Sequence, residues 1–378
     1  MPMKDLLKHL WDLQRDTTRL LETMVNMDSP SSDKALVDTF GRFIGSEFEA
    51  IGGNVEHIAA GRFGNHVLVR FPGPDNVRPV LLLGHTDTVF SAGEAARRPF
   101  RIQEGKATGP GVFDMKAGIA VMWAALKVMK SMAPLPRPVT VLLNSDEEVG
   151  SPSSRPVIEN EAQAVKAALV LEPSLPGGAV KTSRKGTGQF TIKAIGRAAH
   201  TGIDPERGIN AIAEIALQVQ ELHKLSSPSA GTTVTVSVIQ GGTRVNVVPA
   251  EAGLEADIRV SSHEEAARII EAIRSLKAQL PGASLQIRGG INRPPMERSS
   301  DIAGLFVLAK EITSEMGFTL EEGSTGGASD GNFTSAMGVP TLDGLGPIGR
   351  GAHSLDEYVE IDSIPPRAAL LAELIRRV

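Results

Sequence analysis

Five short stretches of this chain combine histidine with acidic residues, and each stands where a predicted strand ends. They are residues 84–88, 111–116, 145–150, 171–174 and 351–354. Together they offer two imidazoles and several carboxylates, and the chain has no cysteine that could supply a thiolate. Histidine and carboxylate ligands are typical of a catalytic zinc-type centre. The sequence therefore predicts a hydrolase with two metal ions. The fold must bring these distant segments together to form the metal centre.

The first stretch contains His85 and Asp87, two positions apart. Residues two apart in an extended chain point to the same side, so Asp87 can reach the ring nitrogen of His85 that faces away from a metal. Taken alone, a buried histidine with satisfied hydrogen bonds is the commoner explanation. The position directly after the apolar residues 81–83 favours a metal ligand.

Three further acids follow in the next two stretches. Asp114 comes after the tight turn 109–111, and its two oxygens could bridge ions about 3.5–4 Å apart. It could instead cap the helix that begins near residue 117. Glu147 and Glu148 repel each other and disfavour burial unless cations compensate. One can bind a metal while its neighbour acts as general base on the attacking water, although solvated loop acids are the alternative.

Glu172 ends a predicted strand before a proline, and His353 lies in a glycine-flanked loop. Each could be an ordinary turn residue if the other stretches were absent. The glycine-rich loop at 326–332, which contains Gly327, could hold an anion through its backbone N–H groups. It is not a Walker loop, because no Gly-Lys-Ser/Thr follows it.

Composition excludes several classes of protein. The chain has 378 residues, 41% hydrophobic and 22% charged, with a formal charge of −5. This charge argues against a nucleic-acid partner, because binding to phosphates needs clustered cations. No apolar run reaches the length of about 18 residues that spans a membrane, and the N-terminus does not resemble a secretory signal. We therefore expect no membrane association and a cytoplasmic location.

Short apolar runs alternate with amphipathic helices over most of the chain. The runs at 67–69, 80–83, 139–143 and 168–171 predict buried strands. Helices are predicted from Leu6 to Met24, over 33–51 and over 117–132, which favours an α/β fold with a mainly parallel sheet flanked by helices. Active sites of such sheets form at the carboxyl ends of the strands.

The pattern changes over residues 185–293. Strands are predicted at 189–195, 233–239, 254–260 and 285–288, and helices at 209–225 and 264–280. This is the β-α-β-β-α-β order of a ferredoxin-like unit. We therefore predict a catalytic domain in two parts, residues 1–184 and 294–378, with an inserted α+β domain at 185–293.

The five stretches and the insert together resemble the dinuclear zinc aminoacylase and glutamate carboxypeptidase family. This family includes the carboxypeptidase G type, acetylornithine deacetylases and succinyl-diaminopimelate desuccinylases. The resemblance covers nearly the whole chain. It implies that His85, Asp114 and Glu172 bind one ion, and that the shared Asp114 binds the other with Glu148 and His353. It also implies a cis peptide bond after Asp114.

The same resemblance assigns the remaining roles. Glu147 matches the general base that acts on a water bridging two zinc ions, and Asp87 matches the partner of the first histidine. The insert matches a lid and dimerisation domain, whose His200 reaches the partner subunit's active site. A homodimer is therefore expected. Positions near the substrate's carboxylate are matched by Asn246, Arg259 and Arg293, although surface arginines are the default explanation for the latter two.

The predicted reaction is hydrolysis of the amide between an acyl group and an amino acid or peptide with a free carboxylate. Alternatives are deacetylation or desuccinylation of a biosynthetic amino acid, an aminoacylase or dipeptidase activity, and a non-catalytic binding protein. The last is disfavoured because no ligand position and no base is missing. Imidazole and carboxylate ligands suit Zn²⁺ and also Co²⁺ or Mn²⁺, and the choice of zinc is implied by the resemblance.

Overall fold

A computed structural model describes residues 2–378 and shows an α/β protein. The helices of the described chain are α1 Met3–Asp12, α2 Gln14–Val25, α3 Lys34–Ala50, α4 Glu94–Arg97, α5 Ala117–Met132, α6 Arg155–Ala162, α7 Ala211–Lys224, α8 His263–Arg274, α9 Ser300–Glu315, α10 Gly331–Ala336 and α11 Ile364–Arg377. The strands are β1 Asn54–Ile58, β2 His66–Phe71, β3 Val80–His85, β4 Arg101–Gln103, β5 Lys106–Thr108, β6 Val139–Asn144, β7 Ala167–Val170, β8 Val180–Arg184, β9 Gly186–Ile195, β10 Thr233–Gly241, β11 Glu251–Val260, β12 Ser284–Arg293, β13 Glu322–Thr325, β14 Thr341–Leu342, β15 Gly349–Arg350 and β16 Tyr358–Glu360.

The main sheet has six strands in the order β1-β2-β6-β3-β7-β14. The pairs β6/β3, β3/β7 and β7/β14 are parallel, whereas β1/β2 and β2/β6 are antiparallel. The prediction of a mainly parallel sheet is therefore confirmed. His85 is the last residue of β3, and Glu147 and Glu172 follow β6 and β7. Because parallel strands end at the same edge of a sheet, these three residues are brought to one edge.

Both faces of this sheet are buried, which explains the continuous apolar runs of its strands. Val69, Leu82 and Leu143 belong to a large core that includes residues of α1, α2, α3, α5, α9 and α11. Leu81 and Leu142, one position away, point to the other face and pack in a second core with residues of α6 and α10. The predicted flanking helices are thus present on both faces.

A second, antiparallel sheet has the order β10-β11-β9-β12. Helices α7 and α8 supply Ile215 and Ile269 to the core of this unit, where they join Ile192 and Leu254 of the sheet. The predicted β-α-β-β-α-β order is present as β9-α7-β10-β11-α8-β12. Two smaller sheets, β13-β8 and β15-β16-β5-β4, complete the structure.

The chain divides into two compact units. One contains the residues up to Ser183 together with Arg298–Ser324 and Ser329–Val378, and the other contains Arg184–Glu297 and Thr325–Ala328. The metal-ligand candidates all belong to the first unit, which also contains the main sheet. The assignment of the second unit as a lid and dimerisation domain stays a prediction. No helix of the described residues is long and apolar enough to cross a membrane.

Two predicted helices differ from those observed. The first is split at Leu13 into α1 and α2. The helix predicted at 264–280 is shorter in the structure, since α8 ends at Arg274. The buried carboxylate of Glu214 accepts the backbone N–H of Gln279 at 3.0 Å and that of Leu280 at 2.7 Å. A tertiary partner therefore takes the backbone donors that a longer helix would use internally.

Candidate metal centre

His85 closes β3, and only 1% of its side chain is exposed. Its Nε2 lies 3.1 Å from Asp114 Oδ1 and 3.6 Å from Glu172 Oε1. The opposite ring nitrogen, Nδ1, lies 2.9 Å from the backbone carbonyl oxygen of Asp87. A histidine that donates to a carbonyl from one nitrogen keeps a lone pair on the other. In the neutral form that metal binding requires, this lone pair would point towards the carboxylates of Asp114 and Glu172.

The carboxylate of Asp87 has partners other than the predicted one. Its Oδ1 lies 3.6 Å from His85 Nδ1, which is beyond hydrogen-bonding distance. Oδ1 instead accepts the backbone N–H of Glu147 at 3.2 Å, and Oδ2 accepts that of Glu148 at 3.2 Å and the hydroxyl of Ser31 at 2.7 Å. The backbone of Asp87 therefore orients His85, because the side chain is turned towards the loop after β6.

Asp114 lies between the two histidines. Its Oδ1 is 3.1 Å from His85 Nε2, and its Oδ2 is 3.3 Å from His353 Nε2. The preceding Gly111 has a left-handed φ of 71°, and the peptide bond between Asp114 and Met115 is cis, as the resemblance implied. Asp114 is not the cap of the next helix, since α5 begins at Ala117 without a side-chain capping bond.

The side chains of the remaining acids are largely buried, so they are not solvated loop residues. Glu148 Oε2 lies 3.1 Å from His353 Nε2, and Glu148 Oε1 is buried without a hydrogen-bond partner among the described residues. Glu147 is 8% exposed and Glu172 is 7% exposed. Both place a carboxylate oxygen within 4.8 Å of a nitrogen of His85. His353 is the most accessible of these residues, with 51% of its side chain exposed.

This set of donors fits divalent cations. His85 with Asp114 and Glu148, and His85 with Glu147 and Glu172, each bring three ligand atoms within 4.8 Å of one another. Imidazole and carboxylate donors suit Zn²⁺, Co²⁺ or Mn²⁺. A buried acceptor without a partner, such as Glu148 Oε1, is costly unless a cation or a donor satisfies it. The crowding of carboxylates is therefore explained by positive charge placed between them.

The side chains of the centre shift one another's pKa. Hydrogen bonds to Asp114 and Glu148 raise the pKa of His353 to about 10. Burial opposes protonation of His85, but Asp114 and Asp87 outweigh it and raise the pKa of His85 well above its usual value. Burial raises the pKa of Glu148. Burial also disfavours ionisation of Asp114, yet the two histidines hold its pKa below its usual range.

A buried polar network behind the turn after β6 was missed by the sequence analysis. Asp330 accepts the side-chain N–H of Asn144 at 2.5 Å and the hydroxyl of Ser151. Asp146 accepts hydrogen bonds from two serines in the segment that follows it. His66, for which no role was predicted, is 1% exposed and accepts the first backbone N–H after β6. The available signal was the three acids at 145–150 and the single acid Asp330 in the glycine-rich loop, which we interpreted only as ligands or an anion loop.

Within the second unit, the segments of His200 and Asn246 lie side by side. The N–H of Thr201 donates to the carbonyl oxygen of Asn246 at 3.2 Å, and His200 pairs with Val247 in an isolated antiparallel bridge. Both predicted residues are exposed. The unit therefore presents an imidazole and an amide from neighbouring loops.

The predicted carboxylate-binding residues of this unit differ in their surroundings. Arg259 forms a two-pronged ion pair with Asp257, at 2.9 Å and 3.0 Å. Arg293 is 8% exposed at the end of β12. The carbonyl oxygen of Gly327 accepts from Arg184 at 3.2 Å, and the N–H of Gly327 lies 3.4 Å from the hydroxyl of Thr325. Because Asp257 already pairs with the guanidinium of Arg259, a substrate carboxylate at Arg259 would have to compete with Asp257.

Two histidines and several buried carboxylates at the carboxyl edge of an α/β sheet define a metal-dependent hydrolase. The model of peptidase family M20/M25/M40 matches residues 81–377, and the chain belongs to this family. It is 30% identical over 372 residues to carboxypeptidase G2 of Pseudomonas sp. (strain RS-16), covering 96% of this chain and 89% of that protein. It is 29% identical over 319 residues to a succinyl-diaminopimelate desuccinylase of Cereibacter sphaeroides (strain ATCC 17025 / ATH 2.4.3), covering 78% and 81% of the two chains.

Solved structures share the fold. A tripeptidase from Staphylococcus aureus superposes with a TM-score of 0.81 at 21% identity, covering 96% of this chain and 98% of that one. A dinuclear metal-binding peptidase of the M20 family from Bacillus subtilis gives a TM-score of 0.69 at 14% identity, covering 97% and 98%. These likenesses cover nearly the whole length of this chain.

Proposed function

We propose that the protein hydrolyses the amide bond between an acyl group and an amino acid that carries a free carboxylate. The observation that carries the proposal is the position of Asp114, whose two oxygens face His85 on one side and His353 on the other. A carboxylate so placed suits a bridge between two cations. The 30% identity to carboxypeptidase G2 over nearly the whole chain supports this substrate class.

The proposed ligands form two groups around Asp114. His85 and Glu172 complete the first group, and Glu148 and His353 complete the second. Two divalent ions held there would polarise the scissile carbonyl and make a bound water acidic enough to attack at neutral pH. Zinc is the proposed metal because the resemblance to the dinuclear zinc family implies it, and these ligand types, which also suit Co²⁺ and Mn²⁺, are compatible with it.

Glu147 is the proposed general base. Its side chain is 8% exposed, and its backbone is fixed by Asp87 beside the proposed ligand Glu148. In this role it accepts a proton from the attacking water and then delivers that proton to the leaving nitrogen. A base must lie within about one hydrogen bond of the proton that it removes. Burial among carboxylates and imidazoles at the sheet edge supports this role for Glu147, because such a water would be held there.

Substrate recognition is assigned to the second unit. Arg293 and Asn246 are proposed to contact the substrate's carboxylate, and Gly327 lies in the loop proposed to approach it. Arg259 is proposed for the same task once its guanidinium leaves Asp257. His200 is proposed to stabilise the negative charge that develops on the carbonyl oxygen.

The second unit is also the proposed dimerisation domain. Strand β10 lies at the edge of its sheet, so its outer side has no strand partner among the described residues. Val238 and Ile239 of this strand are 39% and 56% exposed, and Ile212 of α7 is 44% exposed. Exposed edges and apolar side chains of this kind favour pairing with another chain. A second copy would cover them and bring His200 of one subunit to the centre of the other.

A narrower specificity, removal of an N-succinyl group alone, is the second candidate function, favoured by the similarity to a succinyl-diaminopimelate desuccinylase. The deciding experiment measures hydrolysis by the metal-loaded protein of folyl-glutamate, N-acetylornithine, N-succinyl-diaminopimelate and a series of N-acyl amino acids. Cleavage of folyl-glutamate or of N-acyl amino acids with varied acyl groups supports the main proposal. Turnover confined to the succinyl substrate supports the second candidate. No hydrolysis of any compound would overturn both.

A further inference from the structure

Glu357 is a buried acid close to the centre that the predicted mechanism does not use. It lies four residues after His353, at the end of the loop that follows β15, and its relative exposure is 0%. Among the described residues, no lysine, arginine or histidine forms an ion pair with it, and the charge of the buried Lys116 acts on it only at longer range. Burying an unpaired carboxylate is costly, so its charge must be compensated by other donors.

The compensating donors are backbone N–H groups of one loop. Oε1 of Glu357 accepts from Phe113 at 2.7 Å and from Asp114 at 2.8 Å. Oε2 accepts from Gly111 at 3.0 Å. Hydrogen bonds to a charged acceptor are roughly twice as strong as neutral ones. The carboxylate therefore fixes the loop 111–114, including the backbone of the residue that faces both histidines.

The backbone of Glu357 also constrains the loop that contains His353. This loop folds back on itself, because Gly351 has a φ of 81° and the N–H of Ser354 donates to the Gly351 carbonyl at 2.9 Å. A Cβ atom at Gly351 would lie 3.1 Å from the Cα of Glu357. The loop from Gly351 to Glu357 is thus compact, and the position of its last residue constrains His353.

We propose that Glu357 is a positioning residue that sets the distance between Asp114 and His353, and thereby the affinity for the ion that these two residues share with Glu148. The proposal rests on the two-metal function proposed above. The other ion depends less on Glu357, because His85 ends β3 and Glu172 follows β7, both in the main sheet. Loss of Glu357 should therefore weaken one ion much more than the other.

The test is a metal titration of the metal-free Glu357→Gln variant with Co²⁺, followed by calorimetry and by the visible spectrum of the bound ion. The amide keeps the size of the side chain, but its NH₂ group must oppose at least one backbone N–H. We expect one ion to bind almost as in the wild type and the other roughly 10–100-fold more weakly, the usual loss when a residue that supports a ligand is removed. Excess Co²⁺ should restore turnover.

Glu360→Gln is the matched control, because Glu360 is an exposed acid three residues further along the chain. Wild-type affinity for both ions in folded Glu357→Gln would overturn the inference, and so would equal weakening of both ions. If this variant does not fold, Glu357→Asp replaces it, and the same two affinities decide. A wild-type protein that binds fewer than two ions would overturn the proposed function itself, which separates the two failures.

Discussion

The carboxylate of Asp87 holds the backbone of Glu147, whose N–H it accepts at 3.2 Å. Its second oxygen accepts the N–H of the next residue, Glu148, also at 3.2 Å. One fully buried acid thus fixes the backbone that carries the side chains of the proposed base and of a proposed ligand. The same residue orients His85 through its carbonyl oxygen. Asp87 therefore connects the loops after β3 and β6.

Replacement of Asp87 by Asn should lower kcat more than it changes KM. The amide nitrogen cannot accept a backbone N–H, so Glu147 or Glu148 loses its support and moves from its working position. We expect kcat to fall roughly 10–100-fold, as for other residues that support a metal centre. Steady-state kinetics on the metal-loaded variant measure this loss. Asp75→Asn, at an exposed site, is the control, and an unchanged kcat in Asp87→Asn would refute the argument.

The two adjacent glutamates should respond differently to the same substitution. Glu147→Gln removes the proposed base and should lower kcat roughly 10²–10⁴-fold, with both ions retained. Glu148→Gln removes a proposed ligand and should reduce the number of tightly bound ions. Metal analysis beside kinetics separates the two effects. Near-normal turnover of Glu147→Gln with its metals bound would show that another group is the base.

Metal binding should release protons at neutral pH. The pKa of His353 is raised to about 10 by Asp114 and Glu148, so its ring is protonated at pH 7 when no cation is bound. The pKa of His85 is also raised well above its usual value. A histidine must be neutral to bind a metal, so an ion displaces these protons and its affinity increases as pH rises towards 10.

Calorimetry in buffers with different ionisation enthalpies counts the released protons. We expect about two for two ions at pH 7, one for each histidine. His353→Gln should reduce this number by about one, because it removes one of the two protonated imidazoles. Binding without proton release, or an affinity that falls as pH rises from 6 to 9, would contradict the assignment of the histidines as ligands.

The sequence predicts the main sheet well because its strands are buried on both faces. Residues such as Leu81 and Leu82 pack into different cores, so every position in the strand is apolar and the strand ends stand out. The loops that follow β3, β6 and β7 could therefore be placed at one edge. The end of α8 could not be predicted, because Glu214, about 60 residues earlier, captures the N–H groups beyond it.

The hydrogen-bond partners of the side chains in the centre were harder to predict than which residues form the centre. The spacing of His85 and Asp87 indicates that they can meet, but not which acceptor the histidine uses. The carboxylate turns to the loop after β6 because three donors converge there, including the Ser31 hydroxyl from a distant segment. Glu357 was not recognised for the same reason, since its partners are backbone N–H groups that have no signature in the sequence.

Mixing two inactive variants tests whether His200 acts across a dimer. His200→Ala and Glu147→Gln should each be nearly inactive, since one lacks the group that polarises the carbonyl and the other lacks the base. In a mixed dimer, the centre with an intact Glu147 receives His200 from the Glu147→Gln subunit. Subunit exchange should therefore restore about a quarter of wild-type activity if pairing is random.

If His200 serves its own chain, every centre in the mixture lacks one of the two residues and activity stays absent. Sedimentation measures whether dimers form, energy transfer between subunits that carry different dyes measures whether they exchange, and Glu147→Gln mixed with itself gives the background. Recovery of activity would require both a dimer and a histidine that acts on the partner subunit. If activity does not return in dimers shown to exchange, His200 acts within its own subunit. Only then does every site in the mixture carry one of the two substitutions.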